Sequence, residues 1–341
     1  MITSELKGGL YGIMVRLICA VSIFALLALP LYAQGAKVGK VILVPKGYAS
    51  IQEALDAADA GDTVFVAEGV YKVSLALRDD VALIGASAER TVLQGDRKRP
   101  VVRGAQGAAI RHFTIEGGHS GILCANTFMV IEDCVVRGSR ETGIHCVISL
   151  PVIRNNVIFR NGGSGIFCET TRSHRGYISN NVIAENTYCG VMLAGQSEVL
   201  LENNVFYFNK QYGVFTSDGA RKSRIVYNSF YGNRQAGNAT SQIDRTNMYN
   251  DPGYTAFSAT GYTFLNVWPE ALRGKGKDGA DIGPLKRAFY KPEPRTVAPV
   301  PVKAVEKAPT PAPAPVRAAE KAAVDSVGAG KSAVVDSVGR D

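Results

Sequence analysis

Ile153-Arg-Asn-Asn-Val-Ile158, Ile178-Ser-Asn-Asn-Val-Ile183 and Leu201-Glu-Asn-Asn-Val-Phe206 are one hexapeptide written three times. Looser copies flank it: Ile110-Arg-His-Phe-Thr-Ile115, Ile131-Glu-Asp-Cys-Val-Val136 and Ile225-Val-Tyr-Asn-Ser-Phe230. The steps along the whole series are 21, 22, 25, 23 and 24 residues. A second mark keeps the same beat: Gly121-Ile-Leu-Cys124, Gly143-Ile-His-Cys146, Gly165-Ile-Phe-Cys168, Gly190-Val-Met-Leu193 and Gly213-Val-Phe-Thr216. A third, the pairs Arg160-Asn161, Glu185-Asn186, Phe208-Asn209 and Gly232-Asn233, closes most units.

Within each unit apolar residues alternate or run in twos and threes, separated by Gly or Asn, which is the pattern of short strands. Nothing between 110 and 235 keeps helical apolar spacing. Three short strands and three turns in about 22 residues bury their inward side chains only by stacking coil on coil. The sequence therefore predicts an all-β, single-stranded right-handed parallel β-helix. A leucine-rich repeat of similar period needs a different consensus and a helical return, and both are missing. The Asn pairs fit the turns, because Asn tolerates left-handed backbone and its amide can bond the equivalent amide one coil away. Asn156, Asn181, Asn204 and Asn228 are expected to form such a ladder. Cys124, Cys146 and Cys168 should stack inward as buried thiols.

Outward from the repeats, Ser50-Ile-Gln-Glu53 is a capping box that opens a short helix over 51–60, with Ile51, Ala54, Leu55 and Ala58 on one face. Thr63–Val66 and Val81–Ile84 then read as strands. Such a helix covers the open end of the solenoid, where core and strand edges would otherwise be exposed.

The two ends of the 341-residue chain have other characters. Arg16, the apolar run 17–29, Pro30 and the small residues to Ala33 describe a secretory signal peptide over 1–33; an uncleaved anchor is the alternative. Residues 290–341, rich in Ala, Pro and Lys, read as a disordered tail, either a tether toward envelope material or an inert extension. The solenoid is left with 37–288, its regular coils at 110–235. The formal charge of +8 divides as +1 in 1–33, +4 in 285–341 (ten Lys/Arg against six Asp/Glu) and +3 in between, so it does not indicate nucleic acid. Cys124, Cys134, Cys146, Cys168 and Cys189 are too few for a disulfide scaffold. No C-x-x-C occurs, and four scattered His give no metal-ligand spacing, so no metal or cofactor is evident.

The stretch Ile51–Val66 with Glu68-Gly-Val-Tyr71 resembles the opening of pectate-lyase-like right-handed β-helix proteins, and the Gly-Ile and Asn-Asn coils resemble those of carbohydrate-binding and sugar-hydrolase solenoids. Asn250-Asp-Pro-Gly-Tyr254 and Asp278–Gly283 are similar to the closing segment of many bacterial members. The resemblance covers about 40–288 and implies an exported, periplasmic or surface protein that handles polysaccharide, with Ca²⁺ as the ion that some relatives use. It does not carry catalysis across. The Asn-Thr-Asp, Asp-Asp and Gly-His-Gly pattern is absent (Gly118-His119-Ser120 is a fragment), as is R-x-P-x-x-R, and no carboxylate pair is spaced for acid/base work.

The longest repeat step, 25 residues, predicts an extra loop at Glu169–Arg175. Arg172, His174 and Arg175 on that loop, beside Glu169 and the outward His145 and Phe167, form the candidate site. There Phe167 would stack on a sugar, the arginines would pair with carboxylates, and the histidines would exchange protons. A solvated insertion is the plainer alternative. Leu123, His145, Phe167, Met192 and Phe215 make an apolar outward stripe that could stack sugars, lie under the 250–285 segment or meet a partner chain. The sequence thus leaves two functions open: binding, with cleavage not excluded, of an acidic glycan, or a structural scaffold of the envelope.

Overall fold

The computed structural model describes residues 39–171, 175–253 and 270–284. The signal-peptide and tail readings lie outside them, as do Arg172 and His174. The described chain is a parallel β-solenoid of about nine turns. Among the described residues its strands fall into three sheets of nine, eight and eight strands, all pairings parallel and each strand paired with its equivalents one coil away. They are numbered here in the order the chain visits them in a coil. Val152–Arg154 lies in sheet 1, Val157–Phe159 in sheet 2 and Ile166–Thr170 in sheet 3.

Helix α1, Ile51–Asp56, opens with the expected capping box between Ser50 and Glu53 and buries Ile51, Ala54 and Leu55. It is shorter than the 51–60 read from sequence. Ala57 caps its C-terminus, and Asp62 takes the backbone N–H of Asp59 at 2.9 Å, which turns the chain into the next strand.

The register stacks like on like. Ile131, Ile153, Ile178, Leu201 and Ile225 share one row of sheet 1, and Ile144, Ile166 and Val191 share one of sheet 3; all are buried. Cys124, Cys146 and Cys168 are in register and buried. Five successive coils enter sheet 3 through a glycine, Gly121, Gly143, Gly165, Gly190 and Gly213, for a steric reason. A Cβ on Gly143 would sit 2.6 Å from the Gly165 carbonyl oxygen of the next coil.

The two residues of each Asn pair divide the labour. The first takes left-handed backbone: φ is 57° at Asn155, 54° at Asn180 and 57° at Asn203. The second builds the ladder. Asn156 Nδ2 donates to Asn181 Oδ1 at 3.0 Å, Asn181 to Asn204 at 2.9 Å and Asn204 to Asn228 at 3.0 Å, and Asn247 adds one further rung. A second ladder, Asn161–Asn186–Asn209–Asn233, runs up the corner between sheets 2 and 3 with amide contacts of 2.9–3.0 Å. Each amide donor thereby meets a carbonyl while sealed from water, which the solenoid interior requires.

The C-terminal segment 270–284 packs on the outside of sheet 2, where Leu272 and Ile282 join Val157, Phe159, Val182 and Tyr207 in a second apolar cluster. It is pinned by the left-handed asparagines: Asn203 Oδ1 accepts the Lys277 N–H at 2.9 Å, and Asn180 Nδ2 donates to the Gly283 carbonyl at 3.0 Å.

Candidate functional site

Sheet 3 carries the stripe that the sequence points to. Leu123, His145, Phe167, Met192 and Phe215 occupy one outward register row on five successive coils, all half-buried, and exposed Arg103 stands at its foot. The described part of the C-terminal segment lies on sheet 2 and leaves this row uncovered; residues 254–269 are outside the described residues. The expected cover of the stripe by 250–285 is therefore corrected for 270–284. Those residues follow the apolar outer face of sheet 2 and the amides at its corner.

At the centre of the row the His145 and Phe167 rings stack at 5.1 Å with 8° between their planes. That separation is close to the spacing of neighbouring strands, so the rings face each other along the solenoid axis, with Leu123 and Met192 in register beyond them. One face of Phe167 is taken by His145, and the row turns ring edges toward solvent. His145 Nε2 lies 3.1 Å from Glu169 Oε1 on the next coil.

Three of the expected site residues, His145, Phe167 and Glu169, thus meet on one face. Glu169 belongs to the strand Ile166–Thr170 and not to a loop. Arg175 opens a strand of sheet 1, Arg175–Ser179, with its side chain 90% exposed and its Nε 3.8 Å from Glu198. Strand pairing claims both ends of the inserted stretch. Arg172 and His174 lie outside the described residues.

A second concave feature escaped the sequence reading. It follows the corner between sheets 2 and 3. Gly95, Gly117 and Gly138 stand there at the positions that Arg160, Glu185 and Phe208 fill on later coils. The hydrogen bonds show the equivalence: Gly95 N–H reaches the Glu116 carbonyl and Gly117 N–H that of Arg137, as Arg160 N–H reaches Ala184 and Glu185 N–H reaches Tyr207. Gly117 and Gly138 are left-handed, with φ of 71° and 63°. A Cβ on Gly138 would meet only the Gly117 nitrogen, at 4.0 Å. The missing side chains open a cleft of about 410 Å³ over Glu116 and Arg137. It shares Arg97, Gly138 and Arg160 with a larger one of about 670 Å³ that reaches Arg140 and Lys210. The signal in the sequence was the residue after each sheet 2 strand, which is Gly at 95, 117 and 138, becomes Arg160, Glu185 and Phe208 on the next three coils, and is Gly again at 232.

The remaining ionisable groups are tied on separate faces. On sheet 1, Glu132 sits between Arg111 at 3.0 Å and Arg154 at 2.7 Å. Burial pushes its carboxyl up, and the two guanidiniums outweigh burial and hold it below its ordinary value. His112 lies 3.4 Å from Asp133, and His119 lies 3.1 Å from Glu141. Burial raises Asp133 despite its histidine contact.

Among solved structures the chain is similar to an alginate lyase from Paenibacillus sp. str. FPU-7, at 18% identity over 57% of this chain and 76% of that one, with a TM-score of 0.47. It is similar to the A-module of an Azotobacter vinelandii mannuronan C-5 epimerase at 20% identity, 56% and 68% coverage and a TM-score of 0.42. For a pectate lyase the values are 11%, 73%, 96% and 0.48. No curated protein matches the chain. The model of the family described as "Periplasmic copper-binding protein (NosD)" matches residues 56–272, the whole of the regular solenoid. The chain belongs to the NosD family of periplasmic β-helix proteins.

Proposed function

We propose that the protein is an exported polysaccharide-binding solenoid that takes acidic glycan along the outer face of sheet 3. The observation that carries this reading is the half-buried row Leu123–His145–Phe167–Met192–Phe215, continuous over five coils and left open by the described C-terminal segment. A continuous apolar strip on the surface of an exported protein is an interaction surface. A sugar chain laid along it meets ring edges and aliphatic groups, while the His145–Glu169 pair offers a ring nitrogen and a carboxylate to its hydroxyls. Exposed Arg103 at the foot of the row supplies charge that favours uronates. The reading is of binding. Catalysis is unassigned, since Glu169 is engaged by His145 and Glu132 by two arginines.

The family's description raises copper, and the donors among the described residues do not fit it. Among the described residues no three His, Cys, Asp or Glu side chains converge on one point. His112, His119 and His145 each pair with a single carboxylate on separate parts of the surface. The thiols of Cys124, Cys146 and Cys168 are sealed in the core, and the neighbouring thiols together with burial push Cys146 well above its usual range, away from the thiolate that binds metal. A Ca²⁺ site of several carboxylates is likewise unsupported there.

The test is a panel of acidic and neutral oligosaccharides titrated against the chain and against a His145→Thr/Phe167→Thr variant, in which threonine preserves the strand. Binding to acidic members that weakens about tenfold in the variant, with an unchanged melting temperature, is expected. No binding and no unsaturated product across the panel would leave the scaffold reading.

A further inference from the structure

We infer that the corner groove between sheets 2 and 3 is a second binding site, one for an extended carboxylate-bearing polymer. It goes beyond the sheet 3 reading, because it uses different residues on a different part of the surface and stands or falls separately.

The groove exists because a column of side chains stops. Gly95, Gly117 and Gly138 give it an open floor, and Arg160, Glu185 and Phe208 rise beyond as its wall. Its charge is asymmetric. Arg97, Arg140 and Lys210 are exposed and make no ion pair among the described residues, unlike Arg160, whose Nε lies 2.5 Å from Glu185. Each of the three sits on a countable coil. Arg140 N–H bonds to Gly118, whose own coil carries His119, bonded in turn to Arg99 next to Arg97; Lys210 N–H bonds to Asn186, and Thr187 on that coil bonds to Asn161 beside Arg160. From Arg97 to Arg140 is two coils and from Arg140 to Lys210 is three, roughly 10 and 14 Å at the strand spacing. Unpaired cations therefore recur along the groove every two to three coils, on the scale of two to three sugar residues.

The acidic residues decide between polyanions. Glu116 and Glu185 line the groove among the cations, and Glu116 accepts from Gln94 at 3.0 Å as well as from Arg137 at 2.7 Å. Carboxylates in the floor suit a ligand that brings hydroxyl donors between its charges, as a uronate chain does. They repel a strand carrying phosphate at every residue. Phe208, 46% exposed at the far end, provides an apolar face for a sugar ring.

The experiment compares the parent chain with two triple variants that lose equal charge: Arg97→Gln/Arg140→Gln/Lys210→Gln in the groove, and Lys46→Gln/Arg78→Gln/Lys222→Gln elsewhere. The probes are polygalacturonate and alginate oligomers, neutral dextran, and single-stranded DNA of matching charge, titrated at low and at physiological salt. The inference expects salt-sensitive binding of the uronate oligomers that falls at least tenfold in the groove variant, stays within twofold in the other, and persists in the groove when His145 and Phe167 are replaced. Equal losses in both triple variants would show general charge attraction and overturn it. So would DNA bound as tightly as uronate, or binding abolished by the His145 and Phe167 replacement alone. Uronate binding that stays within twofold of the parent in the groove variant would overturn the groove while leaving the sheet 3 reading in place, and no binding to any probe would overturn both.

Discussion

Asn181 shows how much one amide does in this solenoid. Its oxygen accepts the Asn156 N–H at 2.9 Å and the Asn156 amide at 3.0 Å, while its own amide donates to the Ile153 carbonyl at 3.0 Å and to Asn204. Replacing it by Ala strands the Asn156 N–H away from water. With that buried group orphaned, Asn181→Ala should cost about 1–3 kcal/mol, read as a shift in urea midpoint. Its neighbour Asn180 behaves differently, because its conformation matters most: φ is 54°, so Asn180→Gly should be mild and Asn180→Val severe. This division of roles was only half legible in the sequence. The repeat spacing fixed which residues stack, but position two of the pair is chosen by hydrogen bonding and position one by backbone sterics, and both constraints select Asn. The second ladder stood in the sequence as Asn161, Asn186, Asn209 and Asn233. It was harder to read because its left-handed partners, Arg160, Glu185 and Phe208, share no chemistry.

At the scale of elements, the sheets stack like residues on like, and two consequences can be measured. The Arg111–Glu132–Arg154 row joins three strands of sheet 1. With its folded value held below the unfolded one, Glu132 contributes stability that is present above the ordinary carboxylate range and is lost as pH falls through its folded value. Glu132→Gln should therefore unfold earlier than the parent at neutral pH, and the gap should close toward acid; a gap independent of pH would contradict the assignment. In the core, burial pushes the Cys134 thiol up to about 12 and that of Cys189 to about 11. Maleimide should leave Cys124, Cys134, Cys146, Cys168 and Cys189 unlabelled in the native solenoid and label all five in denaturant. The inward placement of the Cys row and the outward placement of His145 and Phe167 follow from strand alternation, which sequence reports directly. The stacking of the two rings on each other does not, since it depends on the rotamers that neighbouring coils allow.

Across the whole molecule, the chain builds a long surface and then covers part of it. Residues 270–284 occupy the outside of sheet 2, and truncating their buried anchor, Leu272→Ala, should cost about 3 kcal/mol while uncovering Phe159 and Tyr207 to a hydrophobic dye. Sheet 3 and the corner groove remain open along the described residues. Which face the C-terminal segment would choose was not legible beforehand: sheets 2 and 3 both present apolar rows, and the choice rests on Asn180 and Asn203, whose amides meet its backbone. The central claim is that the row on sheet 3 receives polysaccharide. A crystal of the chain soaked with a saturating acidic oligosaccharide tests it most directly. The account predicts sugar density along Leu123, His145, Phe167, Met192 and Phe215, in contact with Glu169. A sheet 3 left bare at full occupancy elsewhere, or without any bound sugar, would contradict it.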